Sequence, residues 1–243
     1  MPIVPRKLKR FLAVGCSHGD LADQDALDAV LRFKKDFKPD FTVHLGDFLD
    51  TAALRSGAKG TGDEGRDLDA DLCQGLLFLA DLRPNLVLCG NHEARVWRLT
   101  DHPNAIVAKC AGDLQRSIRS TCKRLGAELV EYRGIWEKRK IANYSLMHGY
   151  LYTENAARDH AEAHGNVIFA HTHRAGMAIG RRDDDAMGLC VGTLADIPNM
   201  DYANTRRATL GWSQGFVWGE YCDSWLQPFL HIKQKTANGW VLP

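Results

Sequence analysis

Short apolar runs alternate with helical stripes along the first two-thirds of the chain. "RFLAVG" (10–15) and "DFTVHLG" (40–46) are compact and β-rich, and each stops at a glycine. Between them Ala26, Val30, Phe33 and Phe37 recur at spacings of four, three and four. That is the stripe of an amphipathic helix, and Pro39 closes it. Leu68, Leu72, Leu76 and Leu79 mark a second helix, Pro84 punctuates, and "NLVLCG" (85–90) is a third strand. Strand, helix, strand, helix, strand predicts right-handed crossovers and a parallel sheet. Residues 94 to about 124 read as mostly helical. "IANYSLMHG" (141–149) then reads as one strand. "TENAARDHAEAHG" (153–165) reads as a helix with Thr153 as N-cap and Gly165 as stop. "NVIFAH" (166–171) is a further strand. Beyond it "GMAIGRR", "AMGLCVG", "GFVWGEY" and "SWLQPFLHI" are short β-like runs joined by turns, with no helix between.

Composition narrows the class. The 243 residues are 45% hydrophobic and 25% charged, with a formal net charge of +1. This suits a folded globular protein rather than a disordered one and gives no sign of a nucleic-acid-coating protein or an acidic tail. The apolar runs fall far below the roughly 20 residues that span a bilayer. The start, "MPIVPRKLKRFLAVG", is basic, but its apolar part is too short for a secretory signal. The seven cysteines are odd in number and scattered, without a C-x-x-C pair, which predicts reduced thiols and a cytoplasmic protein. No linker or internal repeat divides the chain, so a single domain over 1–243 is expected.

Ligands of open α/β sheets bind beyond the carboxyl ends of the strands. Here those ends read "GCSHG", "LGDFLD", "CGNHE", "LMHG" and "FAHTH". They deliver His18, His92, His148, His171 and His173, with Asp47, Asp50, Asn91 and Cys16, toward one edge. Five of the ten histidines follow apolar runs directly, and none of the five sits on a helix stripe. Imidazole with carboxylate and amide oxygen suits Zn, Mn, Fe or Co rather than Ca or Mg. The set is too large for one tetrahedral ion and about enough for two. A pair of ions clamps an in-line displacement at phosphorus, with a bridging hydroxide as nucleophile, and a free His then protonates the leaving oxygen.

The ordered blocks "GDFLD", "GNHE", "HG" and "HTH", spanning Cys16 to His173, resemble the calcineurin-like metallophosphoesterase family. Its pattern is D-x-H, G-D-x-x-D, G-N-H-[ED], H and G-H-x-H. The resemblance implies an α/β fold, a four-layer α/β/β/α sandwich with mixed sheets. A helical, cap-like insert at about 94–130 would follow the third strand, and a β-rich portion would run from about 174 to 243. It further implies that Asp47 bridges two divalent transition-metal ions. His18 and His173 would hold the first ion, and Asn91, His148 and His171 the second. His92 would be the leaving-group acid and Asp50 its orienting partner, since a carboxylate on one ring nitrogen fixes the tautomer of the other.

Two positions depart from that pattern. Ala170 replaces the glycine before the last His pair, a small change. Cys16 stands where the family has the aspartate of D-x-H. A thiolate binds Zn or Fe well, at about 2.3 Å to Zn against about 2.0–2.2 Å for a carboxylate oxygen. Cys16 as a ligand therefore favours Zn or Fe over Mn at the first site. The alternatives are that Cys16 only ends a buried strand, leaving three protein ligands, or that Asp20 substitutes for it.

The implied activity is a metal-dependent phosphoesterase acting on phosphodiesters, nucleotides or nucleic acid. A phosphomonoesterase on small nucleotides, or a metal-binding scaffold acting through partners, are the other readings. Retention of His92 with Asp50 favours catalysis. Arg95 and Arg98 follow "GNHE" at helical spacing as candidate anion contacts. Arg55, with Lys59 and Arg66, lies in a stretch (54–67) carrying four glycines, either a substrate-contacting loop or a solvated connection. Residues 94–140 carry eleven Lys or Arg against five Asp or Glu, which suits a polyanionic substrate. His44 is assigned to packing or support, and His102, His160, His164 and His231 have no motif context. The aromatic tail, 193–221, is expected to line the pocket or to close the second sheet's core, core being the preferred assignment.

Overall fold

Both faces of the first strand, β1 (Lys9–Val14), are covered. Phe11 and Ala13 point into one apolar cluster, Leu12 and Val14 into another. That is why the strand reads as a continuous apolar run rather than an alternating one. The computed structural model describes residues 8–200, 207–234 and 239–243. The basic start (1–7) and residues 201–206 of the aromatic tail lie outside the described residues.

β1 pairs in parallel with β2 (Phe41–His44), which pairs with β3 (Leu86–Leu88) and that with β4 (Glu128–Val130). The crossovers are α1 (Gln24–Phe37) and α2 (Leu68–Leu82), then α3 (Glu93–Leu99) and α4 (Ala105–Leu125). A hairpin, β5 (Arg139–Ile141) and β6 (Tyr144–Leu146), opens a second sheet. α5 (Ala156–His164), β7 (Val167–Phe169), β8 (Gly176–Ile179) and β9 (Met187–Cys190) complete it, in the order β5-β6-β7-β9-β8. β10 (Gly215–Tyr221) and β11 (Leu226–Ile232) return to the first sheet, whose order is β11-β10-β1-β2-β3-β4.

The sheets face each other through Phe11, Val43, Leu45, Leu88, Leu146, Ile168 and Val191. Each such fully buried large side chain contributes about 1.5–3 kcal/mol before conformational entropy is counted. α1 and α2 cover the outer face of the first sheet through Val30, Phe33 and Phe78, and α4 joins through Ile118. α5 covers the second sheet beside Val167 and Phe169. The result is the predicted four-layer sandwich with two mixed sheets and a helical segment after the third strand. Among the described residues no helix is long and apolar enough to cross a membrane.

Local departures from the sequence reading have physical causes. Residues 139–146 form a hairpin rather than one strand, because Ala142 takes φ 49° and turns the chain between Ile141 and Tyr144. β4, three residues long at a sheet edge, left no readable run. The N-cap of α5 is Asn155, while Thr153 instead donates its hydroxyl to Asp159 Oδ2 at 2.8 Å; Gly165 does end the helix. α2 buries Asp71, Gly75, Phe78, Leu79 and Leu82, with Leu72 and Leu76 only half-buried, because the Asp71 carboxylate bonds inward. In the tail, Trp218 lies on the first sheet against Phe33 and Phe37 of α1, not in the second sheet's core.

Candidate metal centre

The candidate donors sit where strands break. Cys16, His18, Asp47, Thr51, His171 and His173 all take φ between 48° and 67°. Non-glycine residues rarely enter this left-handed region, and each costs about 1–3 kcal/mol. The kinks recur after β1, β2 and β7 and turn side chains from those three segments toward one point. Gly90 is required for close approach: a Cβ there would stand 2.1 Å from Asp47 Oδ1.

Three groups of donors result: one is His18, Asp50 and His92, and the other two share Asp47. In one of these two, the ligand atoms of Cys16, His18, Asp47 and His173 all lie within 4.8 Å of one another. In the other, Asp47, His148 and His171 meet the same limit. Asp47 belongs to both. Asn91 joins the second, its Oδ1 lying 3.1 Å from His148 Nε2 and 2.8 Å from His171 Nδ1. His18 Nε2 faces His173 Nε2 at 2.9 Å. Two lone pairs that close need a proton or a cation between them. His173 Nδ1 is buried with no hydrogen-bond partner among the described residues. The nitrogen, oxygen and sulfur donors match borderline transition metals such as Zn or Fe.

Protonation follows burial and neighbours. Burial, then the coulombic push of neighbouring imidazoles, holds His173 far below its usual value and His171 at about 3, so both are neutral and able to bind a cation. Burial also lowers His18, against the pull of Asp50. Burial raises Asp47, but His148 and His92 outweigh it and keep the carboxylate ionised. Burial lowers His148, but Asp47 outweighs it and carries it to about 9. Burial, with Asp47 adding to it, drives the Cys16 thiol well above its usual value. A bound cation removes such a proton outright. Cys16 Sγ also accepts the His171 N–H at 3.3 Å.

Asp50 is shared. Its carboxylate lies 3.0 Å from His18 Nδ1 and 3.3 Å from His92 Nδ1, while its backbone carbonyl accepts from His92 Nδ1 at 2.5 Å. Burial lowers His92, but Asp47 and Asp50 outweigh it and favour the imidazolium. His92 Nε2 is left 3.8 Å from Asp47 Oδ2.

Two buried carboxylates hold the loops, and the sequence reading gave neither a role. Glu93 accepts from Asp47 N at 2.9 Å, Gly90 N at 2.7 Å and Leu49 N at 2.8 Å, tying the second strand end to the third. Burial and Asp47 raise it to about 7. Asp71 accepts from Asp50 N at 2.9 Å and Thr51 N at 2.7 Å. Its signal was an acid on the buried stripe of α2. Trp212 stands over His173 with ring centroids 4.3 Å apart, so one tail aromatic reaches the centre.

Other predicted residues lie nearby or apart. Arg95 donates from Nη1 to Asp50 O at 2.8 Å and Thr51 O at 3.3 Å. It lines a cleft of about 390 Å³ with Arg55, Arg98 and Asn91. Arg55 is also paired with Asp63, and Asp20 pairs with Arg66 at 2.9 Å, outside both donor groups. A second cleft, about 340 Å³, has Asn91, Trp97, Arg98, Glu131, Tyr132 and Arg133 in its lining. His44 supports: its Nδ1 accepts Gly46 N at 3.2 Å and its Nε2 lies 3.1 Å from Ser17 Oγ. His160 is buried against Phe169, centroids 4.1 Å apart.

Two mixed sheets packed face to face, with helices outside both, form a sandwich consistent with that of metallophosphoesterases. A family model described as calcineurin-like phosphoesterase matches residues 9–175, and the chain belongs to that family. Among solved structures it is similar to an archaeal phosphodiesterase at 12% identity, covering 91% of this chain and 99% of that one, with a TM-score of 0.48. It is also similar to the Escherichia coli phosphoesterase Yfce, at 13% identity, 90% and 98% coverage and a TM-score of 0.38. Vps29 of Chaetomium thermophilum is similar at 13% identity, 96% and 91% coverage and a TM-score of 0.42. No curated protein matches the chain.

Proposed function

We propose that this chain hydrolyses phosphodiesters of the nucleotide or nucleic-acid class at a centre taking two divalent transition-metal ions. The observation that carries the reading is the one carboxylate, Asp47, common to two groups of donors that are all buried except half-buried His171. Cys16, His18 and His173 would hold the first ion, with Zn or Fe favoured by the thiolate, and Asn91, His148 and His171 the second. Bound there, such ions supply Lewis-acid charge and an activated water nucleophile. The chain's own groups do the rest. His92, its Nδ1–H held by the Asp50 carbonyl, gives the proton on Nε2 to the leaving oxygen. Arg95 pins the 50–51 backbone that positions His92. A cytoplasmic setting keeps the Cys16 thiol reduced.

The test compares bis-p-nitrophenyl phosphate with p-nitrophenyl phosphate, with Mn, Zn, Fe and Co each added back. Turnover of the diester above the monoester is expected. No turnover of either at full metal occupancy overturns the enzymatic reading, and a monoester preference moves it to small phosphomonoesters.

A further inference from the structure

The two clefts beside Asn91 differ in chemistry and lie on different flanks of the candidate centre. Asn91 and Arg98 line both. The first opens on the His92 flank, since Arg95, which lines it, has Nη1 3.3 Å from His92 Nδ1. Its charged lining is Arg55 (paired with Asp63), Arg95 (bonded to the 50–51 backbone) and Arg98. The second opens on the His148 flank, where the Tyr132 ring meets His148 edge-on at 5.7 Å. Ala94, Trp97 and Tyr132 give it an apolar, aromatic wall, and its one carboxylate, Glu131, is paired with Arg119. Arg98 and Arg133 are exposed at the clefts, and neither side chain has a hydrogen bond or ion pair among the described residues.

We infer that these clefts divide a single-stranded oligonucleotide between them. The arginine cleft takes the phosphate next to the attacked one, on the leaving-group side, and the Trp97–Tyr132 cleft takes an unstacked base of the nucleotide on the other. Which phosphate is attacked rests on the phosphodiesterase reading above. Guanidinium groups suit phosphate oxygens. Aromatic side chains take bases of any sequence once these leave the stack. A cleft of about 340 Å³ has room for one unstacked ring.

Two measurements on metal-loaded protein test this. The first is anisotropy of fluorescein-labelled, phosphorothioate-linked hexathymidylate and hexauridylate; the two arms separate DNA from RNA. The second is kcat/KM on thymidylyl-thymidine with and without a terminal phosphate, against bis-p-nitrophenyl phosphate. A terminal phosphate is expected to raise kcat/KM about tenfold. Arg98→Ala should weaken hexamer binding about tenfold and lower the salt slope by about one. It should also lose about tenfold more activity on the phosphorylated dinucleotide than on bis-p-nitrophenyl phosphate. Tyr132→Phe should keep hexamer binding and Tyr132→Leu should lose it, while Lys123→Ala, outside both clefts, changes nothing. The inference is overturned if a duplex of equal length binds as tightly, or if the terminal phosphate gives no gain. Equal losses for Arg98→Ala on both substrates also overturn it. Strand binding lost in Arg98→Ala, without hydrolysis under any metal, would fail the phosphodiesterase reading and keep the clefts. Bis-p-nitrophenyl phosphate turnover without strand preference would do the reverse.

Discussion

Gly90→Ala disturbs the candidate centre while leaving every candidate donor in place. The new Cβ would stand 2.1 Å from Asp47 Oδ1 and 2.6 Å from His148 Cε1, where ordinary contact begins at 3.4 Å. Asp47 Oδ1 must therefore retreat by the difference between 3.4 and 2.1 Å, about 1.3 Å. It is not free to swing, because Oδ1 accepts the His92 N–H at 2.9 Å and Oδ2 lies 3.2 Å from His148 Nε2. Losing the first bond leaves a buried N–H unpaired, about 1–3 kcal/mol. Overpacking adds about 1–3 kcal/mol. A total of roughly 2–6 kcal/mol is smaller than most of the 5–15 kcal/mol range typical of a domain, and the urea melt shows whether the variant folds. Activity should suffer more, since a misplacement of about 1 Å costs on the order of 10²-fold.

The assay combines metal content after dialysis, kcat/KM on bis-p-nitrophenyl phosphate and a urea melt. Gly90→Ala should lose tightly held metal and about 10²-fold in rate, with a lowered urea midpoint. Gly62→Ala serves as control, because a Cβ there meets nothing within 4 Å. If Gly90→Ala keeps both ions and a wild-type rate, Asp47 is not the shared carboxylate and the reasoning fails.

Three further outcomes are expected. His92→Ala should lower kcat by about 10²–10⁴, more for an alkyl than for a nitrophenyl leaving group, with metal content retained; an equal loss on both would remove it as the acid. Cys16→Asp should move metal preference from Zn or Fe toward Mn, and Cys16→Ser should loosen one ion, both read by elemental analysis; two tight ions with unchanged preference in each variant would exclude Cys16 as a ligand. In chelator, wild-type stability should fall as pH drops from 6.5 toward 4, because the unfolded chain binds a proton that buried His160, lowered to about 4, refuses. That group alone accounts for about 3 kcal/mol, so His160→Gln should show a shallower slope in urea melts, and parallel slopes would refute the assignment.

Much of the centre was legible because strand ends carry its side chains. His18, Asp47, Asn91, His148, His171 and His173 each follow an apolar run, and the fold brings those runs to one edge. Glu93 stood inside a quoted motif, yet its work is done on the backbone of Asp47 and Leu49, which spacing along the chain does not reveal. Asp71 reaches Asp50 and Thr51 only because α2 packs over that loop. Trp212 meets His173 from a segment whose aromatics looked like core. The hairpin at 139–146 escaped notice because Ala142 turns it without a glycine. The short strand Glu128–Val130 has too few residues to show a period.

The pairing of His18 with His173 spans 155 residues. At ribosomal speeds that interval is about 8 to 30 s. For most of it Cys16 and His18 have Asp47 and Asp50 in the finished stretch but not His173. A nascent chain thus has half a chelate, which a stray cation or an oxidant reaches before its proper companions arrive. On the metal-centre reading, ions would load only onto the finished polypeptide, and a product cut short before residue 171 would lack His171 and His173, one donor of each group that holds Asp47.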